Sequence, residues 1–366
     1  MDIKQSRSYC TACPKMCHFS CPVAQVEKNE SYAPALKQQT AKMIAEKKIP
    51  LNADHALPAY KCLSCHNSQN YCDHEIIVAD SLQEIREMAV KVHAAPPEVY
   101  LYEKKFKKFS NPYGIDLSAK LKKLPEEWLE LTKPKVFLPS CHQQGVNPNS
   151  SQEYLNLFKK LKVQDLRFCS DTIQCCGYSL YQLGFRDEFE ELANIQFNQL
   201  KEAEQVIVGS PECAWAMREI YPKIGLKWKI PVLSLFEYVE HLLQKTPYKT
   251  KLESADKFIY HDSCYMGRYQ KIYDSPRHLL EILTGQEVGE FRCNRENSMC
   301  SGAGAGYSLH SPEPAREMAG GHIREMKEQG IKILVTACPQ AQQHFRSLKE
   351  DIVVKDLISF LGEHLL

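Results

Sequence analysis

The sequence lacks most of what marks a membrane, secreted or nucleic-acid-binding protein. No run of about 18 apolar residues occurs, which leaves no candidate membrane-spanning helix. Met1 to Arg7 is polar and has no signal-peptide core, so the expected location is the cytoplasm. Formal net charge is only +1 over 366 residues, so no global field draws the chain to nucleic acid or an anionic surface. Nucleotide motifs are missing as well. Gly302-Ala303-Gly304-Ala305-Gly306 has neither the Lys-Ser/Thr of a phosphate loop nor the spacing of the dinucleotide fingerprint. With no flavin or nicotinamide site in the chain, hydride chemistry falls to a partner.

Cysteine is in excess, with 16 residues in a chain of otherwise ordinary globular composition, 43% hydrophobic and 25% charged. In a reducing compartment, clustered cysteines read as metal ligands or redox groups rather than disulfides. The length implies two or three domains.

The first segment, residues 1–95, carries two runs. Cys10-x2-Cys13-x3-Cys17-x3-Cys21-Pro22 is followed by Cys62-x2-Cys65-x6-Cys72. Cys-x2-Cys sets two thiolates on one tight turn. A fourth cysteine before proline matches the bacterial ferredoxin signature, in which that cysteine serves the other cluster. On that logic Cys10, Cys13 and Cys17 join Cys72, and Cys62 and Cys65 join Cys21. The second run has Ser68 where a third cysteine is due and Asp73 in place of proline. Three cysteines suit a 3Fe–4S cluster, or a site-differentiated 4Fe–4S cluster completed by Ser68, Asp73, His66 or His74. Zinc takes such ligands too. Tyr32 to Lys48 reads as a helix, and Asp80 as the N-cap of another running to about Val92. The segment is expected to be a small all-α domain of ferredoxin type.

Residues 96–134 read as a basic linker. Pro96-Pro97 ends the helical domain. Lys104-Lys105-Phe106-Lys107-Lys108-Phe109 is either solvated connection or a docking surface for an acidic partner.

The remainder is duplicated, 135–250 against 251–366. Val136-Phe137-Leu138 leads to Cys141, and Phe258-Ile259-Tyr260 leads to Cys264. Val206-Ile207-Val208 leads to Cys213, and Ile331 to Val335 leads to Cys338. Cys175-Cys176-Gly177 is echoed by Cys300-Ser301-Gly302, and Leu233–Leu243 by a helix from Leu357. Helical stretches are expected at 152–162, 187–204, 277–283 and 313–329. Short apolar strands alternating with helices imply α/β domains with mainly parallel sheets. Cysteines just past strand ends lie where such sheets bind ligands. The glycine after each pair is expected to let the backbone approach a bulky cluster. His142 and His261 are expected to orient cysteine sulfur.

These motifs resemble the cysteine-rich CCG domain. That domain is known from the B-type component of heterodisulfide reductase and from the iron–sulfur subunits of anaerobic glycerol-3-phosphate dehydrogenase, glycolate oxidase and lactate-utilisation systems. Asp262-Ser263-Cys264-Tyr265-Met266-Gly267-Arg268-Tyr269 and Tyr273-Asp274-Ser275-Pro276-Arg277 carry the likeness furthest. The combined order is similar to heterodisulfide reductase of the D type, a fused arrangement. The resemblance implies an iron–sulfur electron-transport subunit of an oxidoreductase. It would pass electrons between a flavoprotein dehydrogenase or oxidase and quinone or another acceptor, with peripheral attachment at the inner membrane through a partner. The family holds a non-cubane double cluster on five cysteines. Here Ala216 replaces the fifth in the first half, and Ser301 and Ala341 replace two in the second. Cys141, Cys175, Cys176 and Cys213 therefore form a four-thiol set, and Cys264, Cys300 and Cys338 a degenerate three-thiol set. The alternatives are a disulfide or thiol-substrate reductase working at the open second site, and a non-redox zinc protein. Cys293, close before Cys300, is a candidate substitute ligand.

Overall fold

The computed structural model describes residues 2–170, 175–245, 248–250 and 257–366. The apolar runs of the duplicated region form two four-stranded, all-parallel sheets. The first contains β1 (Lys135–Leu138), β2 (Leu166–Phe168), β3 (Gln205–Val208) and β4 (Val232–Ser234) in the order β2-β1-β3-β4. The second contains β5 (Phe258–His261), β6 (Gly289–Glu290), β7 (Ile333–Thr336) and β8 (Val353–Asp356) in the order β6-β5-β7-β8. The two orders are the same, so the fold is α/β with the duplication the sequence announced. Parallel strands need crossovers, and here they are the helices Ser150–Lys160, Arg186–Leu200, Asp274–Thr284 and Pro312–Glu328.

The four inner strands, β1, β3, β5 and β7, are apolar and almost fully buried, which is why their runs were conspicuous. Leu233 and Ser234, expected in a helix, belong to β4, and the helix proper is Leu235–Lys245. Leu357–His364 closes the second half. The two closing helices share one core with Phe137, Phe158, Phe168, Phe258 and Phe360, so one hydrophobic cluster joins the halves. Within it Phe137 meets Tyr154, Phe158 and Phe168 edge to face at centroid distances of 5.2, 5.1 and 5.2 Å.

The N-terminal segment is helical as expected. Ile3–Ala12, Pro34–Ala45, Ala53–Tyr60 and Val78–Lys91 pack together, with Cys10 at the end of the first and the other cysteines on the connections between them. Asp80 is not an N-cap: the helix starts at Val78 after Ile77, and Asp80 lies in its first turn. Residues 96–134 are more than a solvated linker. Pro97 opens a helix to Lys107 whose Val99 and Phe106 are buried. Pro at the first helical position costs nothing, because its missing N–H has no intrahelical acceptor there. Further on, Trp128 stacks on Phe158 at 6.1 Å. The lysines face outward while the apolar residues between them anchor the segment. Among the described residues no helix is long and apolar enough to cross a membrane.

Truncating Phe137 to alanine should cost about 3–5 kcal/mol of unfolding free energy, read by denaturant titration of the metal-free chain. A loss below about 1 kcal/mol, the scale of an exposed site, would contradict this core.

Candidate metal centres

The described cysteines are all reduced, and fourteen gather in four groups. In site I, Cys10 sits in the last turn of the Ile3–Ala12 helix, and Cys13, Cys17 and Cys72 lie on the turns beyond. The four line one hollow with Tyr9, Ser68 and His74. Burial pushes Cys10 up to about 12, and the nearby Cys17, Cys72 and Cys13 add to it. Cys17 is raised to about 11, again by burial first and then by Cys72 and Cys13. The part that comes from neighbouring thiols, second to burial, reflects thiols held close together.

Site II gathers Cys21, Cys62 and Cys65 around a second hollow. Ser68 lines both hollows. Of the other candidate oxygen and nitrogen ligands, Asp73 and His74 flank site I rather than site II. His66 stacks on Tyr269 at 3.8 Å, and burial lowers it to about 3, so the ring is neutral. Three cations reach the cysteine segments. Lys37 Nζ is 3.6 Å from Cys21 Sγ, Arg86 donates to the Cys62 carbonyl at 2.6 Å, and Arg268 donates to the Cys65 carbonyl at 2.5 Å.

Site III stands where β1, β2 and β3 end. Cys141 and Cys213 each follow a strand and lie in the first turn of a short helix behind a serine cap. The Ser140 hydroxyl accepts from Gln143 N, and the Ser210 hydroxyl from Cys213 N. Cys141 and Cys175 sulfurs are 3.3 Å apart, as are those of Cys176 and Cys213. Thiol–thiol hydrogen bonding first, with burial behind it, pushes Cys175, Cys176 and Cys213 well above the usual thiol range. Site IV repeats the plan with Cys264 after β5, Cys338 after β7, and Cys300. Burial and then Cys300 raise Cys264; Cys338 and Cys65 of site II act in the same sense. Cys21, Cys65, Cys264 and Cys300 share one buried cluster, so sites II and IV are neighbours.

The glycines after the cysteine pairs have left-handed φ of 74° at Gly177 and 95° at Gly302. What crowds them is protein. A Cβ would stand 2.9 Å from Leu192 Cδ2 and 2.7 Å from the Ala315 carbonyl oxygen. At Gly304 a Cβ would meet the Leu63 carbonyl oxygen at 2.5 Å, so this glycine-rich loop admits the Cys62–Cys65 turn. Among the described residues neither His142 nor His261 is seen hydrogen-bonded to a cysteine sulfur. His142 meets Tyr113 Oη at 3.2 Å and Gln340 Nε2 at 3.1 Å, and His261 meets Thr336 Oγ1 and the Met299 carbonyl. Cys293 is exposed, and Cys169 is buried in the first core. The Asp262 and Arg277 motifs form a buried ion pair at 2.8 Å, and Asp262 also accepts from Arg295 N, which ties the Cys264 turn to the loop before Cys300.

Sequence reasoning missed the ground between sites III and IV. Glu212 accepts from Gln340 Nε2 at 3.0 Å, and burial pushes its carboxyl up to about 7. A cavity of about 610 Å³ opens there, bounded by Tyr102, Tyr113, His142, Ser179, Ala303 and Gln340 among others. Only the position of Glu212 and Gln340 beside Cys213 and Cys338 could have hinted at it.

Among the described residues no three His, Cys, Asp or Glu side chains already stand as ligands of a single metal ion. The donor chemistry fits thiolate-ligated iron–sulfur clusters. The four groups offer three or four thiols each, and metal binding is coupled to thiol deprotonation.

Two segments, 136–218 and 258–346, match the family of the cysteine-rich domain, CCG. The chain is 26% identical to the D-type subunit of the dihydromethanophenazine:CoB–CoM heterodisulfide reductase of Methanosarcina acetivorans, over 83% of this chain and 77% of that protein. It is 23% identical to the B-type subunit of the fumarate reductase (CoM/CoB) of Methanothermobacter marburgensis, over 94% of this chain and 70% of the relative. Lactate utilization protein A of Oceanobacillus iheyensis is 29% identical over 44% of this chain and 68% of its own length.

A pH window follows from the thiols. In the folded metal-free chain burial raises Cys10, Cys65 and Cys338 to about 12, against an ordinary value of 9.0. Above pH 9 the unfolded chain binds fewer protons than the folded one, so stability falls as pH rises from 9 towards 12. The melting temperature of the metal-free chain should drop across that range, and drop less once metal is loaded. Equal slopes for the two forms would contradict the assignment of these thiols as ligands.

Proposed function

We propose that this chain, two segments of which match the cysteine-rich CCG domain, is an iron–sulfur electron-transfer subunit linking a flavoprotein dehydrogenase or oxidase to quinone or another acceptor. The observation that carries this reading is the succession of thiol sites. Ser68 lies between sites I and II, site II adjoins site IV, and Glu212 with Gln340 spans from IV to III. Clusters held at such sites would supply one-electron chemistry; the chain's own part is to hold them at fixed spacing and away from water. The proposed ligands are Cys10, Cys13, Cys17 and Cys72; Cys21, Cys62 and Cys65; Cys141, Cys175, Cys176 and Cys213; and Cys264, Cys300 and Cys338. Two of the relatives are named as subunits of reductases, which supports redox partner subunits here, in the cytoplasm or at the membrane surface through a partner.

The cavity between sites III and IV favours a second reading, reduction of a disulfide or thiol-linked substrate. That reaction takes two electrons and two protons and releases two thiols. Tyr113, His142 and Gln340 would line the substrate's path.

Anaerobic purification tests both readings. The relay predicts iron with acid-labile sulfide, visible absorbance bleached by dithionite, and no disulfide turnover by the isolated chain. Turnover by the isolated chain would replace the relay with the catalyst. Zinc without sulfide would end both. In Cys300→Ala, iron content and electron transfer should fall; unchanged values would remove site IV from the route.

A further inference from the structure

Site II differs from site I in the charge around it. Lys37, Arg86 and Arg268 are 2%, 1% and 5% exposed. None forms an ion pair with a carboxylate among the described residues. Lys37 bonds the Cys21 sulfur. Arg86 donates to the carbonyls of Ala59, Cys62 and Gln182. Arg268 donates to Cys65 O, Glu296 O, and the carbonyl and hydroxyl of Ser298. Each of the three therefore reaches a different cysteine of one site. Arg7, Lys61 and Arg277 are buried to a similar degree, and each takes a carboxylate: Glu84, Glu27 and Asp262. Burying a cation without a counter-charge is expensive, so Lys37 in the lining of the hollow, with Arg86 and Arg268 on the backbone of its cysteine turn, favours an anion there. Among the described residues no lysine or arginine lines the site I hollow, which Tyr9, Ser68, His74 and its thiols bound, with Asp73 at the rim.

We infer that Lys37, Arg86 and Arg268 are the built-in counter-charge of an anionic group held by Cys21, Cys62 and Cys65, and that they make site II easier to reduce than site I. The inference rests on the iron–sulfur reading above. A group ligated by thiolates carries negative charge, and each added electron increases it. Fixed positive charge at close range stabilises the reduced form, most strongly where water is excluded. Arg268 acts in the same sense on the thiols, opposing burial at Cys65, Cys264 and Cys300. Electrons arriving at site I, whose Cys13 and Cys17 are partly exposed, then run inward towards sites II and IV. Ser68 in place of a third local cysteine removes one negative charge from site II and pushes the same way.

Lys37 is a positioning residue in this account, and potentiometric EPR of the reconstituted full chain reads its effect. Cys17→Ser and Cys21→Ser assign the signals of sites I and II. In the unaltered chain the site II midpoint lies above that of site I. Lys37→Met lowers the site II midpoint by at least tenfold in the reduction equilibrium, about 59 mV for one electron. Lys37→Arg restores it, and site I moves less than site II. In the metal-free chain Lys37→Met leaves the melting temperature unchanged or raised, because it deletes an unpaired buried charge. Arg268→Gln repeats the midpoint measurement by an independent substitution. Clusters present with site II below site I, or a midpoint unmoved in both variants, overturns the inference and leaves the iron–sulfur reading standing. A metal-free Lys37→Met that melts lower, with its midpoint unmoved, assigns Lys37 a merely structural role. Absence of iron and sulfide from the unaltered chain removes the iron–sulfur reading itself.

Discussion

One turn, Cys62 to Cys65, is held from several sides, and the placement of the sites depends on it. Arg86, from the helical domain, hydrogen-bonds the Cys62 carbonyl and reaches across to the Gln182 carbonyl of the first α/β half. Arg268, from the second half, grips the Cys65 carbonyl, and Tyr269 donates to the Ser64 carbonyl at 2.5 Å. Gly304 leaves room for the Leu63 backbone. Charge-assisted bonds to carbonyls in a dry interior are strong and directional. They fix the helical domain against both halves, and so bring site II against site IV.

The duplication supplies the frame and its divergence the asymmetry. Both halves use the same strand order, and both set cysteines past the ends of the two central strands. They differ in what fills the remaining ligand positions. Ala216, Ser301 and Ala341 are 0%, 2% and 1% exposed. They are packed into the interior rather than left as gaps. The first half keeps four thiols in contact, whereas the second keeps three and faces the helical domain. The Glu212–Gln340–His142 contacts lie between them, beside the cavity of about 610 Å³.

Much of this was legible in the sequence. The inner strands were plain because strands buried on both faces must be continuously apolar. β2, β4 and β6 were missed because they are short and carry Arg167, Ser234 and Glu290, and β8, as long as the inner strands, because Lys355 and Asp356 break its apolar run; β4 was absorbed into the helix after it. The basic connection was read from its lysines, although Val99, Phe106 and Trp128 decide its packing. Cysteine spacing placed neighbouring thiols on local turns, while the expected exchange of Cys21 and Cys72 between the two runs came from the ferredoxin signature. Spacing could not show that site II abuts site IV, nor that Lys37, Arg86 and Arg268 converge. Those residues come from separate elements, and only tertiary packing unites them.

The most direct test of the central claim, that these thiols hold redox-active iron–sulfur clusters, is a Mössbauer spectrum of the full chain reconstituted anaerobically with isotopically enriched iron. The account requires the quadrupole doublets of tetrahedral, sulfur-ligated iron, shifting when dithionite is added and returning on reoxidation. A spectrum showing only loosely bound, oxygen-ligated iron, indifferent to reduction, would contradict it.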